Sequence, residues 1–352
     1  MRMSERKLKI YEVLPELEIG GVERFVVDMA NALADLGHDV TVVSHGGQME
    51  EQLIDKVKKL HLSVHSKNPL KIILTAKKLA RAIGENGGCD LLHAHSRVPA
   101  WICQFVAKKL RVPFVVTAHV VFGTQKRWIY TPYRKADSLV CVSQAVKEGM
   151  SQCFDGLGVV ITNGLSEPKV YWSDSNLDGK TRFLFIGRLS NVKGLQDALQ
   201  AFALLPKDLE WSLTVVGEGP ARTEWEKIVY DNNLIDKVTF LGYKQNPDDY
   251  MASHSCLLFP SYTEGLPLTL ARAIQIGIPV IASNIAPVAE LADNSIGLLT
   301  PGNINEWKTA IENFIKAKQT PKTFSANAVP TFEGMLTKYL DIYNSLIQKK
   351  FR

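Results

Sequence analysis

The sequence predicts an α/β protein made of two doubly wound domains, each with helices on both faces of a mainly parallel sheet. Three observations carry this prediction. A chain of 352 residues is longer than one hydrophobic core usually supports. Short apolar segments alternate with helical patterns, as in parallel sheets that are covered on both sides. The alternation stops once, in the polar segment 163-NGLSEPKVYWSDSNLDGKT-181, and then begins again.

This interruption sets the expected domain boundaries. We expect a first domain over residues 1–166, a second over 167–330, and a C-terminal segment, 331–352, that packs back on the first. The segment 333-EGMLTKYLDIYNSLIQ-348 predicts a helix with one apolar face, which another element must cover. Its apolar residues are Met335, Leu336, Tyr339, Leu340, Tyr343 and Leu346. Ligands of doubly wound folds bind beyond the carboxyl ends of the strands, so we expect the two Rossmann-like domains to face each other across a ligand cleft.

The first half contains apolar segments that predict parallel strands, with helical patterns between most of them. The first predicted helix follows 20-GG-21, its apolar residues recur at helical spacing, and Gly37 ends it. In order, the strand segments are KIYEVLP, HDVTVVS, LHLSVH, DLLHAH, VPFVVTAH, SLVCVS and GVVIT.

The second half repeats this arrangement. Helices are predicted from 193 to about 204, from 221, and over LTLARAIQIG. The predicted strands are RFLFIG, SLTVVG, KVTFLG, HSCLLFP, IPVIAS and IGLLTP. Both halves therefore have the strand–helix alternation of a doubly wound domain.

Composition narrows the class of protein and its partners. The net charge of +5 includes no basic block of the kind that binds nucleic acid, so we expect no nucleic-acid partner. Five scattered cysteines without metal-binding spacing predict reduced thiols. The N-terminal segment has no apolar signal region, and the longest apolar segment, 112–122, is shorter than the roughly 20 residues of a spanning helix. We expect a cytoplasmic protein, or one at the inner face of the plasma membrane.

Several enzyme classes are excluded by missing motifs. The sequence has no GxxxxGK[ST] phosphate loop, and neither 217-GEGPAR-222 nor ELEIGGVER has the glycine triplet of a dinucleotide-binding loop. No Asp-x-Asp occurs, which removes the usual carboxylate pair for a metal bound to substrate phosphates. GxSxG, the serine-hydrolase motif, is also absent. We therefore expect neither a metal ion nor a cofactor.

Cations and glycines follow the predicted strands at positions suited to an anion. In 187-GRLSNVKG-194, Arg188 follows a strand end and Lys193 opens the next helix. At 20-GG-21 backbone amides can approach an anion closely because no side chain intervenes. Each feature alone has an ordinary explanation, a tight turn or a solvated charge. Together, on both domains, they favour a ligand such as a diphosphate leaving group.

Several segments, in order and at the expected spacings, resemble the retaining family 4 glycosyltransferases of the GT-B fold. They are IGGVERFVVDMANALADLGHDVTVVS, IGRLSNVKGLQDALQAFALL, VVGEGP, VTFLGY and FPSYTEGLPLTLARAIQIGIPVIAS. The resemblance extends from about residue 8 to about residue 318. It implies transfer of a hexosyl-type sugar from a nucleotide-diphosphate donor, by preference a UDP-sugar, with retention at the anomeric carbon and without a metal.

The resemblance also assigns residue roles. Gly21 lends its amide to the donor phosphate, while Arg188 and Lys193 hold the diphosphate as it leaves. His119, in 115-VVTAHV-120, lies near the reacting sugar; without the resemblance, a histidine at a strand end is more often structural. Four further glycines belong to the donor site in this scheme: Gly20, Gly187, Gly217 and Gly242.

The segment 264-EGLPLTLAR-272 follows the family signature only in part. The signature is Glu, seven residues, then Glu; the first glutamate faces the donor sugar, the next amides reach the distal phosphate, and the second glutamate binds the ribose. Glu264 and the residues Gly265, Leu266 and Pro267 match, with Pro267 suited to the first turn of a helix. Arg272 replaces the second glutamate, and a guanidinium cannot accept hydrogen bonds.

Three explanations of Arg272 stay open. Its side chain turns toward the donor diphosphate or toward Glu264, it points to solvent with weaker donor binding, or the domain no longer binds a standard donor. Under the last explanation, the chain is a nucleotide-sugar-binding protein without catalytic activity. A nucleotide-sugar epimerase of the same architecture is a further alternative.

The acceptor side is less determined by the sequence. His93, His95 and Ser96 end another predicted strand, where we expect contacts to the acceptor. The segment 122-FGTQKRWIYTPYRK-135 mixes four cations with Trp128, Tyr130 and Tyr133, which suits a membrane surface or a phosphorylated, lipid-linked glycan, or else a solvated loop. By family analogy the acceptor is a cell-surface glycan, such as lipopolysaccharide core or a lipid-linked saccharide.

Overall fold

The computed structural model describes most of the chain. The described residues are 6–122, 126–173, 180–291, 298–317 and 329–350. The predicted linker therefore lies partly outside them, at 174–179, as do residues 123–125 of the aromatic and cationic segment. The chain divides into two compact units, which are described in turn: unit 1 comprises Met1–Asn163 and Glu333–Arg352, and unit 2 comprises Gly164–Phe332.

Unit 1 contains a seven-stranded sheet in the order β3-β2-β1-β4-β5-β6-β7. The strands are β1 (Lys9–Val13), β2 (Asp39–Ser44), β3 (Lys58–His61), β4 (Leu91–His95), β5 (Phe114–Ala118), β6 (Ser138–Cys141) and β7 (Val159–Val160). The helices are α1 (Gly21–Asp35), α2 (Pro69–Glu85), α3 (Arg97–Leu110), α4 (Thr131–Arg134), α5 (Gln144–Gly149) and α6 (Ser151–Phe154). Every pairing in this sheet is parallel. The strand order reverses between β1 and β4, and ligands bind beyond the strand ends at such a point.

Unit 2 contains a five-stranded parallel sheet in the order β10-β9-β8-β11-β12. The strands are β8 (Thr181–Ile186), β9 (Trp211–Val216), β10 (Val238–Gly242), β11 (Cys256–Phe259) and β12 (Val280–Ala282). The helices are α7 (Leu195–Ala203), α8 (Arg222–Asp231), α9 (Pro247–Ser253), α10 (Leu268–Ile276), α11 (Ala286–Ala289) and α12 (Ile304–Ala317). Here the strand order reverses between β8 and β11. The two parallel sheets confirm the predicted doubly wound α/β class.

Alternation along the strands of unit 2 places a hydrophobic core on each face of its sheet. Phe183 and Phe185 of β8 pack with Trp225 on one face, and Leu184 packs with α10 on the other. Side chains of successive strand residues point to opposite faces, so a strand covered on both sides is apolar throughout. RFLFIG is such a sequence, and this explains why it predicted a strand.

A few predicted elements differ from the structure. β3 ends at His61, opposite the last residue of β2, so it covers only the start of the predicted LHLSVH strand. α7 begins at Leu195 instead of 193, because Gly194 has a φ of +68° that interrupts the helix. The predicted IGLLTP strand is partly outside the described residues, and its Leu299 forms an isolated bridge to Ser283. All five cysteines are free thiols.

The C-terminal helix α13 (Phe332–Lys350) packs on unit 1 through one face. Its buried residues, Met335, Leu336, Tyr339, Tyr343 and Ile347, recur at the spacing of three or four that brings helical residues to one side. Leu340 and Leu346, which the sequence also placed on this face, are only partly buried. Tyr339 Oη lies 3.1 Å from Thr117 Oγ1, and Tyr343 Oη lies 2.7 Å from His93 Nδ1.

Candidate functional site

The two predicted donor residues Lys193 and Glu264 form an ion pair in unit 2. Lys193 Nζ donates to Glu264 Oε1 at 2.6 Å, and the carboxylate side chain is only 10% exposed. Lys193 follows β8 and Glu264 follows β11, the strands between which the strand order reverses. The structure thus brings together two charges that are 71 residues apart in the sequence.

Close backbone packing fixes the two loops that carry this pair. Gly194 has a φ of +68°, and a Cβ at this position would lie 2.0 Å from the carbonyl oxygen of Pro260. The amide of Tyr262 donates to the carbonyl of Val192 at 2.8 Å. Any other residue at 194 would push the β8 loop away from the β11 loop. The ion pair therefore rests on a backbone contact that only glycine permits.

The geometry leaves Lys193 able to bind an anion. An ammonium group has three donors, and in the described part of the chain Lys193 uses one, on Glu264. Arg188 is exposed beside the same strand end, and it has no hydrogen bond or ion pair to any described residue. Two cations at one strand end, one of them neutralising a carboxylate, suit a ligand with both phosphates and hydroxyls.

The predicted donor-site glycines of unit 2 hold neighbouring loops at the same sheet edge. Gly217 has a φ of +138°, and a Cβ there would lie 1.9 Å from the carbonyl oxygen of Gly187. The Gly217 amide donates to the carbonyl of Gly242 at 2.9 Å. These glycines thus have a structural reason of their own, since they let the loops after β8, β9 and β10 pack backbone against backbone.

Pro267 lies one position earlier than the sequence predicted. It is the residue that precedes α10, and its carbonyl accepts the first helical hydrogen bond, from the Ala271 amide at 2.9 Å. The turn formed by Gly265 and Leu266 connects Glu264 to this helix end. Glu264 is thereby placed next to the amino end of α10, where free amides favour negative charge.

Arg272 has partners that none of the sequence-based explanations included. Its guanidinium donates to the carbonyl oxygen of Ser166 at 2.7 Å and to Gln275 Oε1 at 2.9 Å. It also lies 3.5 Å from a carboxylate oxygen of Asp248 on α9. The expectations that Arg272 turns toward Glu264 or points to solvent are therefore wrong: Glu264 is paired with Lys193, and the arginine ties the segment at Ser166 to α9 and α10.

We expect Arg272→Glu to destabilise unit 2 more than Arg272→Ala. The alanine loses a charge-assisted hydrogen bond, which contributes about 1.5–3 kcal/mol. The glutamate also places a second carboxylate beside Asp248 and an acceptor beside the Ser166 carbonyl. Thermal unfolding of the full chain measures the order. A wild-type melting temperature for Arg272→Glu would show that these contacts contribute nothing.

Unit 1 contains a buried polar cluster that joins three strands. It consists of Glu12 on β1, His93 and His95 on β4, Thr117 on β5 and His119 just after β5. Glu12 Oε2 lies 2.7 Å from His95 Nε2 and 3.1 Å from His93 Nδ1. His95 Nδ1 lies 3.0 Å from His119 Nε2, and His93 Nε2 lies 2.8 Å from Thr117 Oγ1. Glu12, His93 and His95 are fully buried, and His119 is 8% exposed.

The cluster changes the protonation of its members. Burial alone would raise the pKa of Glu12, but the charge and hydrogen bonds of His93 and His95 lower it to about 2. Burial and the neighbouring His93 lower the pKa of His95 to about 4, although Glu12 opposes this. Burial and the other two histidines hold the pKa of His119 well below its usual range. At neutral pH the cluster therefore contains a carboxylate, with His95 and His119 uncharged.

The ligand atoms of Glu12, His93 and His95 all lie within 4.8 Å of one another, so these residues are the described group that could hold a metal ion. A metal ion, however, needs free lone pairs on its ligands. Here the nitrogen of His95 that faces Glu12 must carry a hydrogen, since a carboxylate has only acceptors. We therefore interpret the group as a hydrogen-bonded cluster.

The position of His93 and His95 corrects one prediction and shows what it missed. Fully buried side chains bonded to Glu12 cannot offer acceptor contacts at the surface of unit 1. From the sequence, Glu12, Tyr339 and Tyr343 were not recognised as members of this buried cluster. A signal was present: His93 and His95, like Thr117 and His119, are two residues apart in predicted strands, which puts each pair on one face of the sheet.

At the amino end of α1, the anion site expected at Gly20 and Gly21 is partly filled by an acidic side chain of the same helix. A Cβ on Gly20 would lie 2.2 Å from Oε2 of Glu23, in the first turn of the same helix. A side chain at position 20 would only have to shift the flexible end of Glu23, so this contact does not by itself require glycine. Any anion at this helix end would have to displace the Glu23 carboxylate.

The predicted aromatic and cationic segment is mostly committed to the fold of unit 1. Tyr130 and Tyr133 are buried, and Arg127 pairs with Asp155. Arg134 pairs with the same aspartate at 3.3 Å. Trp128 stays exposed. A membrane surface therefore cannot use this segment as an array of four free cations and three aromatic rings.

Two family models match the chain. The model described as Glycosyltransferase Family 4 matches residues 19–166, and the model described as Glycosyl transferases group 1 matches residues 172–329. Between them they cover most of both units.

Curated relatives and a solved structure are similar over most of the chain. The chain is 24% identical over 299 residues to N-acetyl-alpha-D-glucosaminyl L-malate synthase of Bacillus anthracis, covering 78% of each protein. It is 28% identical over 306 residues to the GalNAc-alpha-(1->4)-GalNAc-alpha-(1->3)-diNAcBac-PP-undecaprenol alpha-1,4-N-acetyl-D-galactosaminyltransferase of Campylobacter jejuni, covering 83% of this chain and 84% of the relative. Anabaena Alr3699/HepE, crystallised with UDP and glucose, has a TM-score of 0.82 at 19% identity, covering 96% of this chain and 100% of that one. The last likeness shows the fold.

Proposed function

Because the chain belongs to the family 4 glycosyltransferases, which have the GT-B fold, we propose that it transfers a sugar from a UDP-sugar to a glycan hydroxyl, with retention and without a metal ion. The chain is a glycosyltransferase, as its family shows, and we infer its donor, its acceptor, the stereochemistry of transfer and its independence from metal. The observation that carries the proposal is the Lys193–Glu264 ion pair at the point where the strand order of unit 2 reverses.

The ion pair suits a nucleotide-sugar because it offers opposite charges to opposite parts of the donor. The uncommitted donors of Lys193 and the exposed guanidinium of Arg188 bind the diphosphate. The Glu264 carboxylate accepts hydrogen bonds from hydroxyls of the sugar, and its pairing with Lys193 reduces its repulsion of the phosphates. Anabaena Alr3699/HepE, whose crystal structure contains UDP and glucose, supports UDP as the nucleotide part of the donor.

In the reaction, negative charge develops on the leaving diphosphate and positive charge on the sugar. Lys193 and Arg188 stabilise that growing charge, which places their main effect in the transition state. The sugar becomes oxocarbenium-like, and the acceptor hydroxyl attacks from the face that the diphosphate leaves. The hydroxyl proton passes to a phosphate oxygen. The bond between the anomeric carbon and the diphosphate breaks as the new glycosidic bond forms. Glu264 orients the sugar and need not form a covalent bond to it.

We infer that the acceptor is a lipid-linked saccharide or another cell-surface glycan, reached at a membrane. The name of the Campylobacter jejuni relative specifies an acceptor on undecaprenol diphosphate, which supports this inference. No helix in the described part of the chain is long and apolar enough to cross a membrane.

The surface of α2 has the composition for such contact. Leu70 is 72% exposed at the start of this helix, and Ile73 and Leu74 are exposed on the next turn. The exposed cations around them are Lys67, Lys71, Lys77, Lys78 and Arg81. An apolar patch with exposed cations along the same helix matches an anionic lipid surface, since side chains such as leucine insert between headgroups while lysines meet lipid phosphates. We place the membrane contact here and not on the segment 122–135.

We expect the double variant Leu70→Ser with Leu74→Ser to lose binding to vesicles of phosphatidylglycerol and phosphatidylcholine. The loss should be tenfold or more. Each leucine contributes roughly 1.5–3 kcal/mol when the membrane buries it fully, and the variant removes two of them. Co-sedimentation measures it. The matched control is Leu157→Ser, which replaces another exposed leucine of unit 1. Equal binding by both variants, or binding unchanged when phosphatidylglycerol is omitted, would contradict this placement.

Incubating the chain with candidate UDP-sugars and no acceptor tests the proposed activity. A transferase hydrolyses its donor slowly, because water replaces the acceptor. An epimerase would return an isomerised sugar, and a binding protein without turnover would give a thermal shift and no product. Only the first outcome agrees with the proposal.

A further inference from the structure

A hydrogen-bonded line runs through unit 1 from its core to the carboxyl edge of its sheet. Glu12 on β1, His95 on β4 and His119 after β5 belong to three adjacent strands and touch in that order. The contacts are 2.7 Å between Glu12 Oε2 and His95 Nε2, and 3.0 Å between His95 Nδ1 and His119 Nε2. The line ends at His119, the residue of the three that retains some exposure.

The chemistry of the three groups gives this line a direction. The low pKa of Glu12, about 2, leaves a carboxylate that can only accept, so His95 must donate from Nε2. His95 is uncharged at neutral pH, because its pKa is lowered to about 4, and a neutral imidazole with a hydrogen on Nε2 accepts at Nδ1. His119 must then donate from Nε2 to His95. Its own Nδ1 is left with a lone pair.

The remaining nitrogen of His119 has no partner in the parts of the chain that the structure describes. The ring itself is held in place: Phe25 of α1 packs edge-on against it, with ring centroids 5.2 Å apart. Phe25 also contacts His95, at 5.6 Å. An oriented imidazole with one nitrogen bonded inward therefore offers its other nitrogen at the edge of the sheet.

We propose that Glu12 and His95 are positioning residues that hold His119 as the Nε2–H tautomer, so that its Nδ1 accepts a hydrogen bond from a hydroxyl group of the substrate. The inference rests on the proposed function, since sugars supply the hydroxyls. The opposite tautomer, or an imidazolium, would present a donor and would favour a phosphate or carbonyl oxygen instead. The line thus selects a hydroxyl at this position.

A second branch of the same cluster provides an internal control. His93 connects Glu12 to Thr117, and Tyr343 of α13 lies 2.7 Å from His93 Nδ1. This branch does not touch His119. Tyr343→Phe removes a hydroxyl at a site as fully buried as that of His95. That hydroxyl also lies 3.4 Å from Glu12 Oε1, but the contacts of the line, from Glu12 Oε2 through His95 to His119, do not involve it.

The tautomer is measured by long-range 1H–15N correlation of the full chain labelled with [15N]histidine, at pH 7.5. The protein has eight histidines, and His119→Asn identifies the signals of interest. We expect His119 Nδ1 to show the shift of an unprotonated, pyridine-type nitrogen and Nε2 that of a protonated nitrogen. The reverse pattern, or protonation of both nitrogens, would overturn the proposal, and the tautomer is read from the wild-type protein.

The variants connect the tautomer to the reaction. We expect His95→Phe to give averaged 15N shifts at His119 and about tenfold lower kcat/KM, the loss of one well-placed hydrogen bond. Tyr343→Phe should lower the melting temperature while the His119 shifts and kcat/KM stay near wild type. Unchanged His119 shifts in a folded His95→Phe would refute the positioning role. If His119 has the expected tautomer but the protein processes no nucleotide-sugar, the positioning role is retained and the proposed function is refuted.

Discussion

Replacing Lys193 with alanine is expected to lower kcat by about a hundredfold or more, with a smaller effect on donor affinity. Losing one group that stabilises developing charge costs roughly 3 kcal/mol in the transition state. The structure adds a second reason. Lys193 neutralises Glu264, which is largely buried, so the variant leaves an unpaired carboxylate at the proposed diphosphate site. Steady-state kinetics together with calorimetric donor titration separate the two quantities.

A matched lysine is available to test whether any lost ion pair would have this effect. Lys316 pairs with Glu312 on α12 in the same unit, and neither residue belongs to the loops that carry Lys193 and Glu264. Lys316→Ala should retain wild-type kcat, since surface pairs contribute little. A donor affinity that falls as much as kcat in Lys193→Ala would mean that the lysine binds ground and transition states equally.

Replacing Glu264 with alanine is expected to cut kcat by a similar factor and to loosen the choice of donor sugar. In the proposed mechanism the carboxylate accepts hydrogen bonds that orient the sugar, and alanine leaves nothing in their place. Because Lys193 Nζ and Glu264 Oε1 lie 2.6 Å apart, the two residues should act as a unit. The double variant should therefore lose far less than the product of the two single losses.

The double-mutant cycle has a clear contradictory outcome. If the two losses multiply, Lys193 and Glu264 act independently, and the ion pair has no role in the reaction. Glu264→Gln refines the test, because it keeps an acceptor oxygen while removing the charge. We expect it to retain more activity than Glu264→Ala and to weaken the hold on Lys193. Glu312→Ala is the matched control on α12.

The fold could be predicted from local sequence patterns, because strands and helices are indicated by apolar periodicity and by the placement of glycines, which are local properties. RFLFIG became β8 since a strand covered on both faces is apolar at every position. Gly194 and Gly217 could be recognised as special, but the reason for them could not. Each is required by a backbone carbonyl, of Pro260 or of Gly187, that tertiary packing brings close.

The partners of charged groups could not be predicted, because they depend on strand order and on long-range packing. Arg272 contacts Ser166, 106 residues earlier in the chain, and no local pattern indicates this. Glu12 lies in a strand segment whose apolar neighbours suggested an ordinary buried strand. Its compensation comes from β4 and from a helix about 330 residues later. A charge in an apolar strand is a sign of such a partner, even where the partner itself is hidden.

Proton NMR of the sugar released from an α-linked UDP-sugar decides whether the ion pair serves a metal-free, retaining transfer. The reaction is run with and without EDTA, and the anomeric signal is followed before mutarotation. We expect the α-anomer to appear first, at a rate that EDTA does not change and that Lys193→Ala reduces about a hundredfold or more. First release of the β-anomer, or loss of activity in EDTA that Mn²⁺ restores, would contradict the mechanism.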